Sequence, residues 1–303
     1  MFDTVSSFEA IWDWGPLTST TARQSNPSDR DLQRAQGSGR IVVTGSEKGF
    51  RIVDVFQQSP LRIIFPRIGG AAVEEAVLIN TAGGVAGGDW LECTVTALAN
   101  ASIAVTSQAA EKVYRALSEP AHVATKLKAH AGARLAWLPQ ETIVFNWGRI
   151  CRDTDIEFSS GAEFLALEWL VLGRAAHGEE VVGGHISDSW RVKKDGSLIW
   201  ADSFRVTDAV FPRLRSRALL SDCKAVATLI YFGPSPQTRL EFFRDMASSP
   251  GCQSAATSVG GLIIARFAAT ASSDLRLALR SVLRQFGREF GPGPFREPKM
   301  WSC

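Results

Sequence analysis

Four glycines in six residues (Gly83, Gly84, Gly87 and Gly88) lead into Asp89, and this stretch comes nearest to a ligand-binding motif. Glycine takes positive φ without a Cβ penalty and lets two backbones approach closely, so a phosphate cradle is the first chemistry to test. A P-loop ends in Gly-Lys-Ser/Thr, whereas this loop ends in Gly88-Asp89 and supplies no lysine. A dinucleotide fingerprint opens a helix. Here Trp90, Glu92, Thr94 and Thr96 alternate with Leu91, Cys93, Val95 and Ala97, the period of a strand with one buried face. The loop therefore reads as a sharp connection between two strands, with Asp89 at its exit. Two readings of Asp89 stay open: a turn residue accepting backbone hydrogen bonds from the glycines, or a weak oxygen ligand lining a passage for a divalent ion. Glu141, Glu168 and Glu179 are open to the same two readings. Glu168 is the sharpest case, because it sits inside Leu167-Glu168-Trp169-Leu170, where a buried carboxylate needs a partner or a wet cavity. Arg174 is the candidate partner.

Other chemistry finds little support. There is no Gly-x-Ser-x-Gly elbow, no His-Glu-x-x-His and no EF-hand loop. His122 and His130 share a strand parity but lie ~26 Å apart if extended, and His177 and His185 are scattered. A tight transition-metal site favours converging imidazoles or thiolates, and the spacing offers none. The cysteines at 93, 151, 223, 252 and 303 are odd in number, widely spaced and without Cys-x-x-Cys, which points to reduced thiols in a cytoplasmic protein. The expectation is a non-enzyme without a tightly bound cofactor. Its rivals are a generic β-sheet interaction module and an enzyme with an unsignalled site on a β scaffold.

The elements that would position these residues are mostly strands. Residues 41–44, 50–56, 61–65, 76–79, 102–107, 112–117, 122–130, 134–138, 143–145, 151–158 and 164–172 are alternating or apolar runs separated by Gly, Pro, Asn and Ser. Residues 181–194 and 197–204 face each other across Asp195-Gly196, a hairpin signal. Ala218 to Phe232 reads as a strand pair, and Thr257 to Phe267 as one strand. Two helices close the chain, near 235–248 and 273–287. Ser235-Pro236 supplies an N-cap and an N1 proline to the first. In the second, Leu275, Leu279, Val282, Leu283 and Phe286 form one buried stripe and Arg276, Arg280 and Arg284 a separate row, with Gly287 as its stop. Many short strands with two late helices make a mainly β protein.

A length of 303 residues with 45% hydrophobic and 21% charged content is ordinary for a globular chain. A net charge of +2 does not suggest a nucleic-acid binder. The longest apolar run, Phe164 to Leu172, contains Glu168 and is far short of the ~20 residues a membrane helix needs. The first 20 residues carry Asp3, Glu9 and Asp13 and do not read as a signal peptide. Residues 1–38 lack periodicity and read as a mobile extension, anchored at most by Trp12 and Trp14.

From Gly39 to the C-terminus the chain resembles the urease accessory protein UreD (UreH) family. The resemblance rests on Gly83-Gly84-x-x-Gly87-Gly88-Asp89, on Thr106-Ser107-Gln108-Ala109-Ala110-x-Lys112-Val113-Tyr114-Arg115, and on Trp137-Leu138-Pro139-Gln140-Glu141-Thr142-Ile143-Val144-Phe145. It extends to Gly173-Arg174-Ala175-Ala176-His177-Gly178-Glu179 and to Pro294-Phe295-Arg296-Glu297-Pro298-Lys299-Met300-Trp301. The family more often has Thr at the position of Ser107, and prolines where Thr81 and Ala82 stand. The resemblance implies an elongated two-layer β architecture with two C-terminal helices. It implies a scaffold for nickel insertion into apo-urease, acting with UreF and, through it, the GTPase UreG. Transient Ni2+ would pass weakly held, with Asp89, Glu141, Glu168 and Glu179 as passage candidates. Lys112, Tyr114, Arg115, Arg276, Arg280, Arg284 and Trp301 are candidates for the partner interface.

Overall fold

The computed structural model describes residues 34–46, 49–66, 75–246, 250–291 and 293–302. Two sheets pack face to face. The first has seven strands in the order β14 (Ser197–Val206), β13 (His185–Lys194), β11 (Arg149–Phe158), β8 (Ala121–Ala129), β5 (Trp90–Ala97), β1 (Gln36–Ser46) and β2 (Gly49–Gln58). The second runs β16 (Cys252–Val259), β17 (Leu262–Ala269), β15 (Ala225–Phe232), β12 (Glu163–Leu172), β9 (Arg134–Leu138), β6 (Ser102–Ser107), β4 (Glu75–Asn80) and β3 (Leu61–Ile64). Short strands β10 (Thr142–Val144) and β7 (Glu111–Val113) extend it beside β12.

The chain shuttles between the sheets: β4, β6, β9 and β12 belong to the second, and β5, β8, β11 and β13 to the first. Neighbours within each run are therefore parallel. Parallel neighbours need a long crossover, usually a helix; here a strand of the opposite sheet serves. Strict alternation follows. Leu91, Cys93, Val95 and Ala97 of β5 and Ile150, Ile156 and Phe158 of β11 point between the sheets, against Ile103, Val105, Leu135, Phe164 and Ala166. The outer face of the second sheet is also apolar and is covered by α1 (Pro236–Asp245) and α2 (Ser272–Glu289), through Phe243, Leu275, Leu279, Val282, Leu283 and Phe286.

Several boundaries differ from the sequence reading. Residues 1–33, with Trp12 and Trp14, lie outside the described residues, but Gln36 to Ser38 are strand, paired with Trp90 to Glu92. Composition hid this because Gly37 carries no hydrophobic signal. It must be small, since a Cβ there would meet Pro60 and Leu91 at 2.8 and 2.9 Å. Helix α2 runs through Gly287 to Glu289. The ~1 kcal/mol cost of a helical glycine is outweighed by the last turn, where Phe290 packs on Phe286 and Phe242. Ser235 takes the left-handed conformation at φ 52° and makes no side-chain cap. Ala218 to Phe232 holds one strand, β15, because Ser221 turns the chain at φ 52° ahead of it. Thr257 to Phe267 is two strands, β16 and β17, turned at Gly260-Gly261.

The C-terminal tail is part of the core. Trp301, expected at a partner interface, is 2% exposed. Its ring packs on Trp169 at 5.7 Å, and its indole N–H donates to Leu138 O at 3.2 Å and Thr106 Oγ1 at 3.3 Å. Glu297 accepts hydrogen bonds from Arg280 and Arg284 of α2, so that arginine row clasps the tail. Trp301→Ala is expected to cost about 3–5 kcal/mol in urea unfolding. Arg284→Ala, at a half-exposed ion pair, is expected to cost less than about 1 kcal/mol.

Candidate functional site

The glycine loop is locked onto β7 of the second sheet, which follows it in the chain. Val85 N–H donates to Lys112 O at 2.7 Å and Tyr114 N–H to Val85 O at 2.9 Å, and the Tyr114 hydroxyl donates to Gly83 O at 3.0 Å. Gly84, at φ 155°, has no room for a Cβ, which would collide with the Tyr114 ring and lie 2.7 Å from Lys112 O. Asp89 serves as the turn residue, although its donors are not glycines. Its Oδ2 accepts the Ala86 N–H at 2.7 Å and its Oδ1 the Ala35 N–H at 2.9 Å. It thus ties the loop to the start of β1.

Glu168 points between the sheets, 5% exposed. Its partner is not Arg174 but Arg152 of β11, whose Nη1 lies 2.7 Å from Glu168 Oε2. Arg152 is 3% exposed. Its Nε and Nη2 donate to the Asp188 carboxylate at 2.9 and 2.8 Å, and its Nη1 donates to Thr142 Oγ1 at 3.0 Å. The other Glu168 oxygen accepts the Trp137 indole N–H at 2.7 Å. Burial, the largest influence, raises the Glu168 pKa and Asp188 adds to it, against the Arg152 charge and the Trp137 hydrogen bond. The balance is upward, and the Arg152 guanidinium on one oxygen and the Trp137 N–H on the other favour the carboxylate against it. Burial pulls the Arg152 pKa down, but Asp188 and Glu168 outweigh it and push it up. A guanidinium with two carboxylates thus crosses the interior, Arg152 and Asp188 from the first sheet and Glu168 and Thr142 from the second.

This cluster separates two cavities. One, of about 190 Å³, runs from exposed Gly83, Gln108 and Lys112 past Cys93, Thr125 and Trp137 to Arg152 and Glu168. The other, of about 380 Å³, runs from exposed Gln253, Ala255 and Arg266 past Thr228 to Glu168 and Asp188. Glu168 lines both. Among the described residues no group of three or more His, Cys, Asp or Glu is placed to hold a metal.

The other carboxylates are elsewhere. Glu179 lies outside the cluster and pairs with Arg174, which donates through Nε and Nη2 at 2.9 and 3.1 Å. Those hydrogen bonds, first among several causes, hold the Glu179 carboxyl below its usual range. Glu141 pairs with Arg276 of α2 at 2.5 Å. Lys112, Tyr114 and Arg115 are all exposed, Tyr114 at 38%, and Lys112 lines the first cavity.

The family model described as UreD urease accessory protein matches residues 35–302. A Xanthobacter autotrophicus protein named urease accessory protein UreD is 38% identical over 278 residues, 89% of this chain and 96% of the relative. Proteins of the same name from Chelativorans sp. and Azorhizobium caulinodans are 36% and 38% identical, covering 92% and 84% of this chain and 98% and 93% of their own. This chain belongs to the UreD family of urease accessory proteins. The stretches on which the resemblance to UreD rests meet in space. Strand β7 pairs with β10, Val85 bridges Val113, Arg174 lies 4.2 Å over the Phe145 ring, and Trp301 reaches Leu138.

Arg152, Asp188, Thr142 and Trp137 are the members of the buried polar cluster that the sequence reading missed. Parity carried a signal for two of them. Arg152 shares the inward parity of Ile150, Ile156 and Phe158, and Asp188 that of Ile186, Trp190 and Val192. A charge in an apolar row needs a counter-charge, on a neighbouring strand or across the core. Asp188→Ala, which breaks the bidentate pair, is expected to cost about 3–5 kcal/mol in denaturant unfolding. Asp89→Ala, which frees two amides, is expected to cost about 1–3 kcal/mol.

Proposed function

We propose that this chain is a non-enzymatic scaffold for urease maturation, and that nickel destined for the apo-urease active site passes through its interior. It acts in the cytoplasm, binding UreF and through it the GTPase UreG, and presents them to apo-urease. Membership of the UreD family supports the maturation role. The four described cysteines, all unpaired, are in keeping with a reducing compartment.

One observation carries the passage. Glu168 lines both cavities, and each cavity reaches exposed residues at its far end. Nickel is cargo here, and a conduit must hold it weakly, because converging imidazoles or thiolates would trap it. Glu168 takes the passage role, since it lines both cavities while Asp89, Glu141 and Glu179 line neither. The test is co-expression with urease subunits and the accessory partners, reading nickel per active site. Glu168→Gln keeps the shape and hydrogen-bonding capacity but loses the charge. It is expected to bring loading down towards the level without this chain, while Glu179→Gln leaves it unchanged. Full loading with Glu168→Gln would end the passage reading.

The partner surface combines Lys112, Tyr114 and Arg115 with the exposed side of the arginine row. Arg276 and Arg280 are engaged within the chain, whereas Arg284 is half-exposed. Arg284→Glu is expected to weaken co-purification with UreF, and Glu297→Gln, which disturbs only the clasp, to preserve it. Equal recovery of UreF with Arg284→Glu would assign that arginine to the clasp alone.

A further inference from the structure

The route just described is closed by a side chain that the passage itself does not call for. The two carboxylates where the cavities meet stand on opposite sheets, Glu168 on β12 and Asp188 on β13. Both are bound by one guanidinium, and Arg152 lines the first cavity while Asp188 lines the second. We propose that Arg152 is the closing element of the route, an internal cation that competes with a passing divalent ion for Glu168 and Asp188. The inference rests on the passage reading above and adds its regulation.

The argument is one of charge and room. Two carboxylates and one guanidinium sum to −1. Adding a divalent ion beside the guanidinium would leave +1 in a site shielded from water, and would set two cations on the same oxygens. Exchanging the guanidinium for a divalent ion leaves zero. Buried charge is tolerated only when compensated, so exchange is favoured over addition. Arg152 has somewhere to go, because it already forms part of the wall of the 190 Å³ cavity. The displaced guanidinium swings into that cavity, towards its exposed mouth at Gly83, Gln108 and Lys112, and returns to the carboxylates when the ion moves on. Closure at rest and release of the ion thus come from one residue. The guanidinium suits this task because its fork matches a carboxylate bidentately, as it does at Asp188.

A plain brace between the sheets is the competing explanation, and it makes no claim about metal. The deciding measurement is equilibrium dialysis of the purified full chain against Ni2+. Arg152→Met fills a similar space without charge and leaves the carboxylates without their cation. It is expected to retain about one Ni2+ per chain, tighter than the unsubstituted chain on the order of tenfold or more. Arg152→Lys should behave like the unsubstituted chain, and Arg152→Met combined with Glu168→Gln should lose the retention. If Arg152→Met is too unstable to dialyse, its melting temperature should rise with added Ni2+, because a ligand that binds only the folded state stabilises it. An Arg152→Met chain that neither retains Ni2+ nor is stabilised by it, or retention that survives Glu168→Gln, overturns the proposal. Full urease loading with Glu168→Gln would remove the passage but not the dialysis result. Defective loading there, with an Arg152→Met chain indifferent to nickel, would keep the passage and remove Arg152 as its closing element.

Discussion

The two sheets of this protein cannot form independently, because the connection between parallel neighbours in one is a strand of the other. This constraint shapes the interior. Every strand from β4 to β13 meets its parallel partner only after the chain has crossed the core and returned. An inward side chain is therefore always faced by a residue from the opposite sheet. For apolar residues the result is ordinary packing, as where Phe158 of β11 meets Phe164 of β12 at 4.9 Å. For a charged residue it means that compensation comes from the neighbouring strand, from across the gap, or from both. Arg152 is satisfied in this way, from Asp188 beside it and from Glu168 and Thr142 opposite.

Where side chains span the gap without filling it, space remains. The cavities adjoin the charged cluster where short side chains such as Thr125, Thr142 and Thr228 line the interior. Further along the same strands Phe158, Phe164 and Phe232 fill the interior. Hollow and solid regions thus follow one backbone geometry and differ by the inward residue. The C-terminal tail governs the rim of the first cavity from outside the second sheet. Trp301 and Glu297 fasten it to Leu138 and α2, and Gln140, which lines that cavity, donates to Met300 O at 3.5 Å.

Period-2 alternation made most strands legible, because a strand with one buried face writes its register into the sequence. The strand after Asp89 and the 195–196 turn illustrate this. The stripe of α2 was equally plain. What failed was information held by other segments. Gln36 to Ser38 are strand because β5 pairs with them, and Gly287 stays helical because aromatic residues beyond it pack back. The partner of Glu168 was sought six residues away and found sixteen away, on the facing sheet. Local reading supplies near candidates, whereas a core that alternates between sheets draws its ion pairs from strands that face one another. Trp301 shows the same limit, since an aromatic residue near a chain end reads alike whether it faces a partner or its own core.

The chemistry of Cys93 bears on how a conduit avoids becoming a store. This thiol lines the first cavity and is the softest donor there. Burial, with a smaller contribution from Glu92, pushes its pKa up to about 12. The thiolate, not the thiol, is the strong metal ligand, so at neutral pH Cys93 stays protonated and weak. Glu168 is charged but already bound on both oxygens, by Arg152 and Trp137. The interior therefore holds potential donors of both kinds and keeps each from capturing an ion at rest, one by protonation and the other by an internal cation. On the passage reading, that pairing allows a route lined with nickel-binding atom types to remain a route.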